Sequence, residues 1–142
     1  MEERYRAFSF TSSLWKFLEM KTIEFRKAVI DNYMRSWLYG TGSSYKINED
    51  FSVDVSGHVW MNDEISKIPF KFGIVGQTFR CESPNLVSLE NCPDYVGDCL
   101  IIDSLKLNNL FGLPKEIRND IKIDSRFKEE EIRKICKVGN VR

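Results

Sequence analysis

Apolar residues recur at helical spacing over the first forty positions of the chain. A first helix is predicted by apolar residues at i, i+3 and i+4: Leu14, Phe17 and Leu18. Either Ser12 or Ser13 is placed to cap its start. A second helix is predicted from about Thr22 to Leu38, before the glycines and short polar residues of positions 39–44. Its apolar residues cover more than one narrow stripe, which predicts burial on two sides. They are Ile23, Phe25, Val29, Ile30, Tyr33, Met34, Trp37 and Leu38.

From residue 45 the hydrophobic period changes to that of strands, because residues 51–55 alternate apolar and polar. An internal repeat then follows. Residues 76–96 and 97–117 form two consecutive segments of 21 residues with the same order of apolar, serine and proline positions. The matched pairs are Gly76/Gly97, Phe79/Leu100, Cys81/Ile102, Ser83/Ser104, Leu86/Leu107, Leu89/Leu110, Pro93/Pro114 and Val96/Ile117.

The segments on either side of these two units fit the repeat less completely. The preceding segment fits with a one-residue deletion, and its apolar positions are Val59, Met61, Ile65, Ile68 and Val75. The following segment is in register only at its start, where the matching residues are Ile121, Ile123 and Ser125. Residues 127–137 then predict a terminal helix with four inner residues, Phe127, Ile132, Ile135 and Cys136.

Each unit offers a short strand, a turn and two leucines three residues apart, a set that cannot bury itself alone. Parallel stacking places equivalent apolar positions in columns, so that neighbouring units complete each other's core. We therefore predict an α/β fold in one folded unit. Residues 45–125 form a short solenoid with a face of parallel strands, residues 1–44 a helical cap, and residues 126–142 a capping helix and tail. The alternative is an ordinary α+β domain in which the repeat is coincidental.

A resemblance to a known family rests on four segments: KINEDFSVDVSGHV (46–59), ISKIPFKFGIV (65–75), FRCES (79–83) and LVSLENCP (86–93). They resemble leucine-rich-repeat-like proteins that are common in tailed bacteriophages and some bacteria, over about residues 45–117. The chain departs from that pattern at Phe51, where a turn glycine is usual, and at residues 84–85 and 105–106. The resemblance implies a solenoid fold and a phage or bacterial source, but no activity.

Alternation within each predicted strand separates the core from one exposed face. The inward residues are Val53, Val55, Val59, Met61, Phe79, Cys81, Leu100, Ile102, Ile121 and Ile123. The residues between them form an outward row: Asp54, Trp60, Arg80, Ile101 and Lys122. One flank of the row consists of His58, Thr78, Cys99 and Asp120, and the other of Asn62, Glu82, Asp103 and Asp124. The candidate partner-binding residues are Asp54, His58, Trp60, Asn62, Arg80, Glu82, Ile101, Asp103, Lys122 and Asp124.

Two features of this face bear on binding. Trp60 beside Arg80 pairs the residue types most common at interaction hot spots. The alternative is that Trp60 packs under the N-terminal helices. Glu82, Asp103 and Asp124 form a predicted acidic row. Stacked like charges repel one another, so the row either awaits a basic partner or a cation, or is simply solvated.

Composition narrows the functions to consider. The 142 residues suit one domain, and 21 basic residues balance 21 acidic ones, which disfavours nucleic acid as a partner. No apolar run approaches the ~20 residues of a membrane span, and residues 1–10 do not read as a signal peptide. We therefore expect a cytoplasmic protein with four reduced cysteines. The absence of CxxC pairs and of catalytic motifs predicts no metal, no cofactor and no enzymatic activity.

The function expected from the sequence is a non-enzymatic protein–protein interaction module. If the chain is phage-encoded, an inhibitor of a bacterial host or defence protein is expected by analogy with small phage proteins. Two alternatives stay open. One is an antagonist that contacts nucleic acid through Arg126, Lys128, Arg133, Lys134, Lys137 and Arg142. The other is a metal-dependent hydrolase that uses the acidic row. Oligomeric state is not indicated by the sequence.

Overall fold

A computed structural model of the chain describes residues 12–142. The chain divides into two compact units, Met1–Tyr33 and Met34–Arg142. The helices are α1 (Ser12–Trp37) and α2 (Glu129–Ile135). The strands are β1 (Tyr45–Ile47), β2 (Val53–Val55), β3 (Val59–Met61), β4 (Phe72–Val75), β5 (Phe79–Cys81), β6 (Tyr95–Val96), β7 (Leu100–Ile102), β8 (Glu116–Lys122) and β9 (Lys137–Val141).

Helix α1 is continuous where two helices were predicted. Its sequence contains neither glycine nor proline, and the hydroxyl of Thr22 donates to the carbonyl of Leu18 at 2.9 Å inside the helix instead of capping a new one. The side chain of Ser12, one of the two predicted caps, and the predicted absence of a signal peptide in residues 1–10 lie outside what the structure describes. The prediction of burial on two sides is wrong, because buried residues form a single stripe in the second half: Ile30, Met34 and Trp37. Seven large apolar residues are exposed instead: Leu14, Trp15, Phe17, Leu18, Met20, Ile23 and Phe25.

The second unit is a β-solenoid of about four turns, each of about 21 residues. Two ladders of parallel strands run along it and meet in the long strand β8. The first ladder joins β2, β4, β6 and the start of β8, and the second joins β3, β5, β7 and the end of β8. Phe79, Leu100 and Ile121 lie in register, which confirms the repeat that their spacing of 21 residues predicts.

Each turn therefore contains two strands, whereas one strand per unit was predicted. A tight corner separates them, and the glycines of successive corners lie directly on one another. A Cβ on Gly76 would overlap the carbonyl oxygen of Ser56, and a Cβ on Gly97 would overlap that of Gly76. Only glycine allows the backbones of adjacent turns to approach so closely here. The glycine pair found in the sequence repeat is thus a requirement of the corner.

The core includes all the predicted inward residues, each of which is buried. At the N-terminal end, Trp37 extends the core, since its ring lies 5.7 Å from that of Phe70 and its indole nitrogen donates to Asp63 at 2.9 Å. The buried serine hydroxyls of the repeat donate hydrogen bonds to carbonyl oxygens of the preceding turn. Ser83 donates to the carbonyl of Ile65 at 2.6 Å, and Ser104 donates to that of Leu86 at 2.8 Å.

The C-terminal segment contains a shorter helix than the one predicted over residues 127–137. Helix α2 is short, and Ile132 and Cys136 are buried as predicted. Ile135 is 51% exposed and Phe127 is only half-buried, so these two assignments were wrong. The chain continues into β9, which pairs in parallel with β8. The predicted tail therefore adds a further strand to the solenoid.

Candidate functional site

Four predicted residues form a continuous outward row on the second ladder. Trp60 is in register with Arg80, Arg80 with Ile101, and Ile101 with Lys122. Adjacent positions are therefore about 4.8 Å apart, the spacing of paired strands. The row lies on short strands that are held by backbone hydrogen bonds, so the backbone atoms that carry its side chains are fixed in place.

Asp54 does not belong to this row. It lies on β2 in the first ladder, paired across the sheet with Lys46 of β1. Its carboxylate accepts hydrogen bonds from the amide nitrogen of Ile74 at 2.8 Å and from the side chain of Asn48 at 3.1 Å. The prediction placed it in the row because it assumed one strand per unit. The corner between β2 and β3 instead places Asp54 in the other ladder.

Arg142 is the fifth member of the row, and sequence reasoning missed it. Ile121 is in register with Val141, so the residue after Val141 continues the row beyond Lys122. The Arg142 Nε lies 3.2 Å from a carboxylate oxygen of Asp120. One signal could have found this strand, since Gly139 follows Gly97 by two repeat lengths. We use the name strand row for Trp60, Arg80, Ile101, Lys122 and Arg142.

Trp60 is exposed at the end of the strand row. Its side chain is 44% accessible, so the alternative of a tryptophan packed under helices is wrong. The Arg80 guanidinium carbon lies 5.2 Å from the centre of the indole ring, within the range of a cation–π contact. The indole nitrogen donates to Glu82 at 3.3 Å, and Glu82 forms an ion pair with Arg80. These contacts hold an aromatic surface open to solvent.

The three predicted carboxylates, named here the carboxylate row, follow the strand row by two residues: Glu82, Asp103 and Asp124. They are not equivalent. Glu82 is paired with Arg80, and Asp124 lies 2.7 Å from Arg126 Nε. The backbone and side-chain hydrogen bonds from Arg126 hold the pKa of Asp124 below its usual value. Within residues 12–142, Asp103 and Lys122 form no ion pair.

A groove of about 270 Å³ separates the two rows. Residues from both rows line it, including Arg80, Glu82, Ile101, Asp103, Lys122 and Asp124. Leu105, which is 76% exposed, stands at its edge and also borders a neighbouring depression of about 470 Å³. The groove thus combines apolar surface with two charges of opposite sign, Asp103 and Lys122, that no described residue pairs, and these are features of a recognition surface.

The other flank of the strand row is polar and internally bonded. The backbone nitrogen of Thr78 donates to Nδ1 of His58 at 3.2 Å, and Asn140 donates to Asp120 at 3.1 Å. At the adjacent corner, the hydrogen bond from Asn119 is the main cause of a lowered pKa of Asp98. On the opposite flank, that of the carboxylate row, Asn62 is exposed directly after β3.

The cysteines behave mainly as small core residues. Cys81, Cys92 and Cys136 are buried, whereas Cys99 is only half-buried, and all four are free. Burial raises the pKa of the Cys81 thiol to about 12 and that of Cys136 to about 11. The same cause raises the pKa of Cys92 and of Cys99.

One thiol per native chain is expected to react with a disulfide reagent such as DTNB at pH 8. Cys99 is accessible, whereas the other three thiols are protected by burial and by their raised pKa values. Unfolding in urea should release all four. The Cys99→Ser variant should lose the native reaction and keep three thiols after unfolding. Rapid reaction of a second thiol in the folded protein would contradict the described burial.

The basic residues near the C-terminus are largely engaged within the chain. Arg126 donates to the carbonyl oxygens of Leu105 and Leu107 at 3.0 and 2.8 Å. Arg133 Nε bonds to Glu129 at 2.9 Å, and the same guanidinium donates to the carbonyl oxygen of Val138 at 2.8 Å. The guanidinium groups of Arg126 and Arg133 are thus bonded to neighbouring residues of the chain, although both side chains are exposed.

In the part of the chain that the structure describes, no group of three or more His, Cys, Asp or Glu side chains is arranged to hold a metal ion. Neither of the two described helices has the length and hydrophobicity needed to cross a bilayer. Comparison of the chain with models of protein families, with curated proteins and with solved structures found no match.

Proposed function

We propose that this chain is a protein-binding module and that the strand row with the groove beside it is its binding surface. The observation that carries the proposal is the exposed indole of Trp60, held by Arg80 and Glu82 at the end of an ordered strand row. Tryptophan and arginine contribute the largest shares of binding energy at many protein interfaces.

The chemistry of the surface favours a protein over a small ligand or nucleic acid. Apolar area from Trp60, Ile101 and Leu105 alternates with charges of both signs, as at many protein interfaces. Because Arg80 is already held by an ion pair and Trp60 by a hydrogen bond, binding would cost little additional side-chain entropy. The row itself spans about 19 Å over five positions.

The proposal also includes a source and a family. The resemblance of residues 45–117 to leucine-rich-repeat-like phage and bacterial proteins supports the solenoid as a member of that group. The proposed partner is then a bacterial host protein, and the proposed effect is inhibition of that protein. This analogy supports the choice of a bacterial lysate for the search.

Differential capture tests the proposal. The wild-type chain, a Trp60→Ala/Arg80→Glu double variant and an Ile74→Asp control are immobilised and exposed to the same lysate. Ile74 is 52% exposed on the first ladder, so its change tests a surface outside the strand row. We expect a protein that is retained by the wild type and the control but lost by the double variant. If every specific protein is retained by all three, the strand row is not the binding surface.

A further inference from the structure

The strand row and the carboxylate row present two parallel stripes of different character. The strand row carries Arg80, Lys122 and Arg142, and the carboxylate row carries Glu82, Asp103 and Asp124. Residues i and i+2 of a strand lie about 6.6 Å apart, so the stripes are separated by about that distance. Both stripes run across the strands, along the axis of the solenoid.

We propose that the occupant of this surface is an amphipathic α-helix laid across the strands, with an acidic ridge over the strand row and a basic ridge over the carboxylate row. This inference rests on the proposed protein-binding function and specifies its partner. The acidic ridge faces Lys122, which forms no ion pair within the described residues, and Arg142. The basic ridge faces Asp103, the one member of the carboxylate row that forms no ion pair with another described residue.

Spacing distinguishes a helix from an extended segment. Positions in the strand row recur every 4.8 Å or so. Side chains on one side of an extended strand recur every ~6.7 Å, so over four steps they depart from the row by about 7.6 Å, more than one position. A helix presents a side chain to one face about every 5.4 Å, so over four steps it departs from the row by only about 2.4 Å, half a position. A helix therefore follows all five positions.

Size and charge order agree with this geometry. Five positions span about 19 Å, which corresponds to a helix of about 13 residues at 1.5 Å per residue. The diameter of a helix, about 10 Å, covers two stripes that are about 6.6 Å apart. Glutamate and lysine at i and i+4 or i+3 form adjacent ridges on one helix and stabilise it. An apolar residue at one end would contact Trp60.

Matched peptides test the inference directly. The first probe is a stapled helical peptide of about 14 residues with a glutamate ridge, a lysine ridge beside it and a leucine at one end. The second has the same composition with the glutamate and lysine ridges exchanged. The third carries the first sequence with two central prolines, which prevent the helix. Binding is measured by the anisotropy of a fluorophore on each peptide.

We expect the first peptide to bind at least about tenfold more tightly than the second or third. Those two peptides lose the charge contacts with Lys122 and Asp103. Lys122→Glu should abolish this preference, whereas Lys67→Glu, an exposed change in the return loop after β3, should leave it intact. Equal binding of the first and second peptides would overturn the charge order. Tighter binding of the proline peptide, dependent on Trp60, would overturn the helix but leave the protein-binding function standing. Loss of Trp60 dependence in differential capture would instead remove that function.

Discussion

Gly97→Ala is expected to destabilise the solenoid by about 3 kcal/mol, at the upper end of the range for overpacked sites. The added Cβ would overlap the carbonyl group of Gly76 in the preceding turn. That carbonyl belongs to backbone, so it cannot rotate away as a side chain would. Relief requires the two turns to separate, which weakens the hydrogen bonds between β4 and β6 and between β5 and β7. The free energy of unfolding in urea measures the effect.

Gly40→Ala provides the matched control for this change. Gly40 has a φ of +74° and open space around the position of a Cβ, so alanine there meets only the conformational penalty of about 1 kcal/mol. The difference between the two variants isolates the close approach of adjacent turns. If Gly97→Ala costs no more than Gly40→Ala, the corners of the solenoid are not stacked as described.

Trp60→Ala is expected to weaken binding of the captured partner by about 2 kcal/mol, or about 30-fold in Kd. The change removes the aromatic surface and also frees Arg80 and Glu82 from the contacts that orient them. Because Trp60 is 44% exposed at the edge of the sheet, the folded state should change little. Calorimetric titration of the partner with each variant measures the loss.

Phe111→Ala is the control for the loss of an exposed aromatic ring. Phe111 is 75% exposed and lies in the loop between β7 and β8, away from the strand row. We expect its Kd to stay within about twofold of the wild type, as for most surface positions outside a hot spot. A larger effect from Phe111 than from Trp60 would place the binding surface on the return loops of the solenoid.

The second ladder of the solenoid could be predicted because its inward residues are large, apolar and regularly spaced. Phe79, Leu100 and Ile121 must form one column if each turn is to complete the core of the next. That single requirement also fixes which residues point outward, so four of the five predicted row members were placed correctly. The exposure of Trp60 could not be predicted, since alternation alone does not show whether another part of the chain covers an outward side chain.

The first ladder could not be recognised from alternation. Its strands are as short as two residues, as in Tyr95–Val96, and β4 places two adjacent residues outward between Phe72 and Val75. A pattern of period two needs more positions to be visible. Asp54 was assigned to the wrong ladder for this reason. The regular recurrence of Val75, Val96 and Ile117 was the remaining signal.

Helix α1 and strand β9 show two other limits of local patterns. Apolar residues in a helix indicate burial only when another surface covers them. Phe25 is 70% exposed because no described part of the chain covers its ring. Strand β9 follows a charged helix and contains only two apolar residues, so its sequence resembles a solvated tail. Pairing with β8 is a long-range interaction that overrides this local character.

Photo-crosslinking from two positions that isoleucines occupy tests most directly whether the strand row is the binding surface. A benzophenone amino acid replaces Ile101 in one variant and Ile74 in another. Both residues lie on strands of the solenoid, but on different ladders. Our account predicts that the captured partner is crosslinked from position 101 and not from position 74. Crosslinking from position 74 alone would contradict it.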